Sequence, residues 1–262
     1  MSDPSLERTL QHLSQSSGGQ ILASARDGLR RSLKAYIAIF VLGFVSAFPL
    51  TSSLIAWLID ADRLPSGVDI IVVSPVEFLF LQLRIAGSVG LMLVTMMVVC
   101  QVALHGARHQ AVQARLNELN VTLPRPSSTL LFSVLTAVGL MVGGLLYAWH
   151  GFIPMLLDYL TTDAQQAGLS TEWRLSSYAG FVVNLLAASA IGFQAPLVTT
   201  LVLRLGVFSR SQLARWRRGI WFGAFVMGAL MSPPDPLSLF LVAVPVIVLF
   251  ELAMGVDRLT RG

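Results

Sequence analysis

Charge is what this sequence has least of. Only 12% of its 262 residues are Asp, Glu, Lys or Arg, where a soluble domain carries about 25%. Hydrophobic residues make up 55%, and the mean hydropathy is +0.72. So few charges cannot clothe a water-facing surface. A soluble globular fold is thereby excluded, and lipid is the natural solvent. Lysine is nearly absent: Lys34 is the one example, so the net charge of +4 comes from arginine. The arginines stand in short clusters between apolar runs. That is a membrane-topology pattern and not the broad basic surface of a nucleic-acid binder. Cysteine is represented by Cys100 alone, inside an apolar run. An intrachain disulfide and a multi-cysteine metal site are both excluded.

Catalytic signatures are also missing. None of His12, His105, His109 and His150 has the Glu neighbour of a His-Glu-x-x-His zinc helix. His105 and His109 could share a helix face, but two imidazoles without a third ligand make a poor metal site. There is no Gly-x-Ser-x-Gly elbow and no Gly-x-x-x-x-Gly-Lys phosphate loop. No enzyme, metal, cofactor or nucleotide is expected.

What is present is a set of apolar runs, near 33–58, 78–104, 128–157, 177–205, 218–232 and 237–255. A span needs roughly 20 apolar residues. The first four runs meet this easily and the last two are short. The break Ser232-Pro233-Pro234-Asp235-Pro236 predicts a hairpin of two short helices rather than one long kinked helix. The first thirty residues are polar and the first apolar run is long enough to span, so no cleavable signal peptide is expected. Arginine and lysine collect in the N-terminal segment (Arg8, Arg26, Arg30, Arg31, Lys34), after the second run (Arg108, Arg115, Arg125), after the fourth (Arg204, Arg210, Arg215, Arg217, Arg218) and in the tail (Arg258, Arg261). The opposite loops hold Arg63 and Arg174 among the acids Asp60, Asp62, Asp69, Asp158, Asp163, Glu172 and Asp235. This bias predicts cytoplasmic N- and C-termini, hence an even number of spans. The expectation is an all-α polytopic protein of six transmembrane helices, with a cytosolic arm over 1–25 and one membrane domain over 26–262.

Polar groups at membrane depth are costly and are therefore functional candidates. Ser74-Pro75-Val76-Glu77 opens the second run, as an N-cap, a first-turn proline and a capping-box carboxylate would; Glu77 is alternatively a contact for a partner. Arg84, two turns on, has either an interfacial or an ion-pairing role, with Glu77 as its partner. Gly192-Phe193-Gln194-Ala195-Pro196 lies in the middle of the fourth run. Pro196 should kink that helix, and Gln194 should face protein or water. Asp235 caps the last helix or faces a groove. Glu251 is expected beside a rim arginine.

These residues, in this order, resemble the TatC family, the multispanning component of the twin-arginine protein translocase. The resemblance runs from about Asp27 to Leu259 and is closest to archaeal members. It is strongest over Gly223 to Pro236 with its Pro-Pro-Asp, then Val242-Ala243-Val244-Pro245 and Leu249-Phe250-Glu251. Ser74-Pro75-Val76-Glu77, Phe193-Gln194-Ala195-Pro196 and Leu29-Arg30-Arg31-Ser32-Leu33 match further family segments. Four positions depart from the pattern. Gly28 and Ala114 stand where the family has glutamates, Gln194 replaces another, and Leu239 replaces a glutamine.

The resemblance implies a glove-like bundle in the cell membrane. It would bind twin-arginine precursors and, with single-span TatA/TatB-type partners, move folded passengers on the proton-motive force. A homo-oligomer within the complex is expected. Two arginines call for carboxylates, so the implied signal-peptide residues are Asp27 and Glu118, with Arg30 beside them. The implied partner groove comprises Glu77, Gln194, Pro196, Pro233, Pro234, Asp235 and Glu251. The alternatives are a scaffold of the same family without signal recognition, and a small-solute transporter, which would want inverted repeats that are not evident.

Overall fold

The computed structural model describes residues 17–60, 69–108, 126–166, 168, 172–204, 206, 208–231 and 236–261, with Asp27 and Arg30 described by their backbone alone. The elements are, in order, α1 (Ser17–Ala47), a 3₁₀ turn (Phe48–Leu50), α2 (Thr51–Asp60), β1 (Asp69–Ile71), α3 (Pro75–Arg108), α4 (Pro126–Tyr147), a π-helical turn (Ala148–Phe152), α5 (Ile153–Gln166), β2 (Glu172–Arg174), α6 (Leu175–Gly192), α7 (Ala195–Arg204), α8 (Arg210–Met231) and α9 (Pro236–Arg261). The fold is all-α. α1 already begins at Ser17, within the segment expected as an arm.

Prolines explain where the helical runs change pitch. Pro49 lies in the 3₁₀ turn between α1 and α2. Pro154 follows the π turn, and the carbonyl it deprives of a partner is that of His150 inside that turn. Helical runs long and apolar enough to cross a membrane are 32–59, 75–103, 131–166, 175–204 and 236–260. The third runs nine residues beyond the expected 157, because the polar stretch Asp158 to Gln166 continues the helix past the apolar part. α8 falls short of the measure, since Arg210, Arg215, Arg217 and Arg218 crowd its first half.

α1 packs along α3, α3 along α6, α4 along α6, and α8 along α9. The last pairing agrees with two separate helices in place of one, but α9, with 26 residues, is not the short helix expected, because the helix continues through the polar tail from Glu251 to Arg261. Close approach is made by small residues: a Cβ at Gly90 would lie 2.9 Å from the Phe40 carbonyl oxygen, and one at Gly144 would lie 2.5 Å from that of Ser189. The main core gathers Ile55, Leu81, Phe152, Leu156, Tyr178, Val182, Leu185 and Val242. A smaller one, Leu203, Leu213 and Phe250, closes the arginine-rich end. Lipid-exposed positions such as Phe80, Phe132, Leu135 and Leu230 remain apolar. At the acid-rich end, β1 and β2 pair in parallel, with Asp69 opposite Glu172 and Ile71 opposite Arg174.

Candidate functional site

Glu77 sits in the first turn of α3 and is buried. The expected capping box is reshaped. Glu77 Oε2 accepts from the Val73 amide at 3.1 Å, and the Glu77 amide donates to the Ser74 carbonyl at 3.1 Å. Its other oxygen leaves the element altogether. Oε1 accepts from the Ser176 amide at 3.1 Å and from the Ser176 hydroxyl, with Arg174 Nε 3.9 Å away. A helix start carries unpaired amides, and this carboxylate serves the starts of both α3 and α6. It therefore fastens the second apolar run to the fourth. Ser176 was not singled out by sequence because the pairing spans 99 residues.

Arg84 does not reach Glu77. Its Nε donates to Asn184 Oδ1 at 3.1 Å on α6. Gly180, one turn earlier, leaves room for the guanidinium: a Cβ there would meet an Arg84 terminal nitrogen at 2.5 Å.

The fourth run carries its interruption where the kink is expected. α6 stops at Gly192 and α7 starts at Ala195. The Phe193 amide donates to the Ser189 carbonyl at 2.9 Å and the Gln194 amide to that of Ile191 at 3.0 Å, a tightened turn before Pro196. Gln194 lies at this break with 4% of its surface exposed. Its Nε2 donates to the Ala137 carbonyl of α4 at 3.0 Å. Among the described residues its Oε1 has no partner. The residue lines a small recess with Met92, Thr95, Met96, Met141, Ala190 and Ile191. A buried acceptor without a donor costs about 1–3 kcal/mol, which sets Gln194 apart from the other buried polar side chains among the described residues.

Glu251 has the rim arginine expected of it. Both its oxygens accept from Arg217, Nη2 to Oε2 at 2.6 Å, while Trp221 Nε1 donates to Oε1 at 3.0 Å. The guanidinium lies 5.2 Å from the Trp221 ring centre. Tyr147, not singled out by sequence, makes a further link: its hydroxyl donates to the Leu241 carbonyl of α9 at 3.1 Å. Pro245 lies four residues on, within α9, and cannot supply that carbonyl's helical partner. The side chains of Asp27 and Arg30, and all of Glu118, Pro233, Pro234 and Asp235, lie outside the described residues.

Residues 26–245 match the model of the family described as "Sec-independent protein translocase protein (TatC)". A relative of that name from Synechocystis sp. is 27% identical over 235 residues, covering 89% of this chain and 86% of its own. An archaeal one, from Cenarchaeum symbiosum, is 29% identical over 198 residues, covering 74% of this chain and 69% of its own. The crystal structure of the twin-arginine translocase receptor TatC superposes with a TM-score of 0.69 at 24% identity, over 90% of this chain and 98% of that one. The chain therefore belongs to the TatC family: it is a multi-pass membrane subunit of the twin-arginine protein translocase, and not an enzyme.

Proposed function

We propose that the chain acts as the receptor subunit of a cell-membrane translocase, with six spans and both termini cytoplasmic. In this reading α8 is the short fifth span. The face carrying Asp27, Arg30 and Glu118 takes the twin-arginine signal, and the broken fourth run takes a single-span TatA/TatB-type partner. The observation that carries the partner site is the buried Gln194 oxygen, which has no donor among the described residues, set in a methionine-rich recess. Methionine adapts to varied apolar partners, and a polar side chain on the incoming helix would supply the missing hydrogen bond. Pro196 contributes by breaking the helix that positions Gln194. Glu77 and Glu251 serve this reading as fasteners that hold α3, α6, α8 and α9 in place. Pro233, Pro234 and Asp235 would form the hairpin turn at the rim of the groove. Several copies of the chain would assemble around these partners.

A second reading is favoured by Gly28 and Ala114, which remove two carboxylates that the family resemblance calls for. It is a scaffold that keeps partner binding and lacks signal recognition. Photocrosslinkers at Asp27, Ala114, Glu118 and Gln194 separate the two. The receptor reading expects precursor crosslinks from the first three positions that vanish with a double-lysine signal, and partner crosslinks from Gln194. Partner crosslinks alone would establish the scaffold. Loss of both would overturn the assignment of the groove.

A further inference from the structure

We propose that Arg215 and Arg218 on α8 form a binding site for the phosphate of an anionic phospholipid, with Phe222 and Val226 receiving its acyl chain. The argument begins with which arginines are already satisfied. Three of them lie within four residues of α8. Arg217 points to α9, where Glu251 accepts from it with both oxygens. Arg215 and Arg218 have no hydrogen bond or ion pair among the described residues, and both are exposed.

Their placement on the helix is specific. α8 packs through Leu213, Ala224 and Gly228, the buried positions of that element. Arg215, Arg218 and Phe222 recur at three- and four-residue spacing on a face turned away from this seam, and Val226 continues it. Phe222 is 71% exposed and Val226 40% exposed, so an apolar strip runs down from the two guanidinium groups into the membrane. Like charges one helical turn apart repel each other. An anion shared between them removes that cost, and the guanidinium fork matches phosphate oxygens in two-point fashion.

The length of α8 brings the ligand to this level. Beyond Arg218 the helix continues to Met231, which is about 20 Å at 1.5 Å per residue. A hydrocarbon core is about 30 Å thick, and a short apolar segment draws the headgroup plane inward. Phosphates are thus held beside Arg215 and Arg218.

The test uses the full-length chain purified in neutral detergent. Retention of phosphatidylglycerol, phosphatidylcholine and inorganic phosphate is followed by native mass spectrometry, and melting is followed in parallel. The wild type should retain phosphatidylglycerol preferentially and melt higher in its presence. At about 1 kcal/mol per arginine near an anionic surface, Arg215→Gln/Arg218→Gln should weaken phosphatidylglycerol binding roughly thirtyfold. Arg215→Lys/Arg218→Lys, which keeps the charge and the fold but loses the fork, should show a smaller loss. Arg210→Gln/Arg258→Gln, an equal charge removal on the same side, should bind as the wild type does. Equal losses in both glutamine variants would replace the site by diffuse surface charge. Equal retention of phosphatidylcholine, or displacement of the lipid by inorganic phosphate, would also overturn the proposal.

Discussion

At the scale of single residues, the polar groups in this bundle repair defects that the backbone itself creates. The pairing of Tyr147 with Leu241 is the clearest case. Pro245 makes α9 leave one carbonyl without a helical donor, and a phenol from the third helical run supplies it. Removing only that hydroxyl, as Tyr147→Phe, should cost about 1–3 kcal/mol, the usual consequence of orphaning a buried acceptor. Thermal or denaturant unfolding in detergent would show it, and an unchanged midpoint would mean that water or a lipid headgroup reaches Leu241. The sequence announced Glu77, Gln194, Pro196 and Glu251, because polar groups and prolines stand out within apolar runs. It did not announce their partners. Ser176, Asn184 and the Ala137 carbonyl are 99, 100 and 57 residues away from the groups they bind. Nothing in local patterning carries that information.

At the scale of elements, helix existence was legible and helix length was not. Apolar runs marked the five long crossings, since burial in lipid demands apolar side chains. The polar continuation from Asp158 to Gln166 and the three-residue strands were missed, since neither depends on lipid. Helix contacts rest instead on close approach. Gly144 meets the backbone of α6, so Gly144→Ala has no flexible side chain to push aside. Overpacking of this sort costs about 1–3 kcal/mol. The neighbouring Gly143 has nothing nearer than 3.8 Å, and Gly143→Ala should be nearly neutral. Melting of the two variants side by side checks this; equal destabilisation would show that the seam is not the cause.

At the scale of the whole molecule, the arginine bias predicts a topology that can be measured directly. In a Cys100→Ser background, single cysteines at Ser66, Gln113 and Thr260 should label with an impermeant maleimide from the outside, the inside and the inside respectively. Outside labelling of Thr260, with Gln113 inside, would make α8 a surface helix and reduce the spans to five. The family was legible from motifs near the two ends and the middle of the chain. The residues that would take a signal peptide were not, because Gly28 and Ala114 stand where the family resemblance calls for carboxylates.

The parallel pairing of β1 with β2 sets an order of events. Its two strands are about a hundred residues apart in the chain, and Ile71 cannot meet Arg174 until three helical runs have been made and inserted. The Glu77 to Ser176 fastening beside it is subject to the same delay. Until then, among the described residues, the buried carboxylate has the amide of Val73 alone to hold it. Closing so long a loop is slow compared with forming a helix. The acid-rich end of the nascent bundle therefore lacks these links through synthesis of its first two-thirds, and the fourth run supplies them.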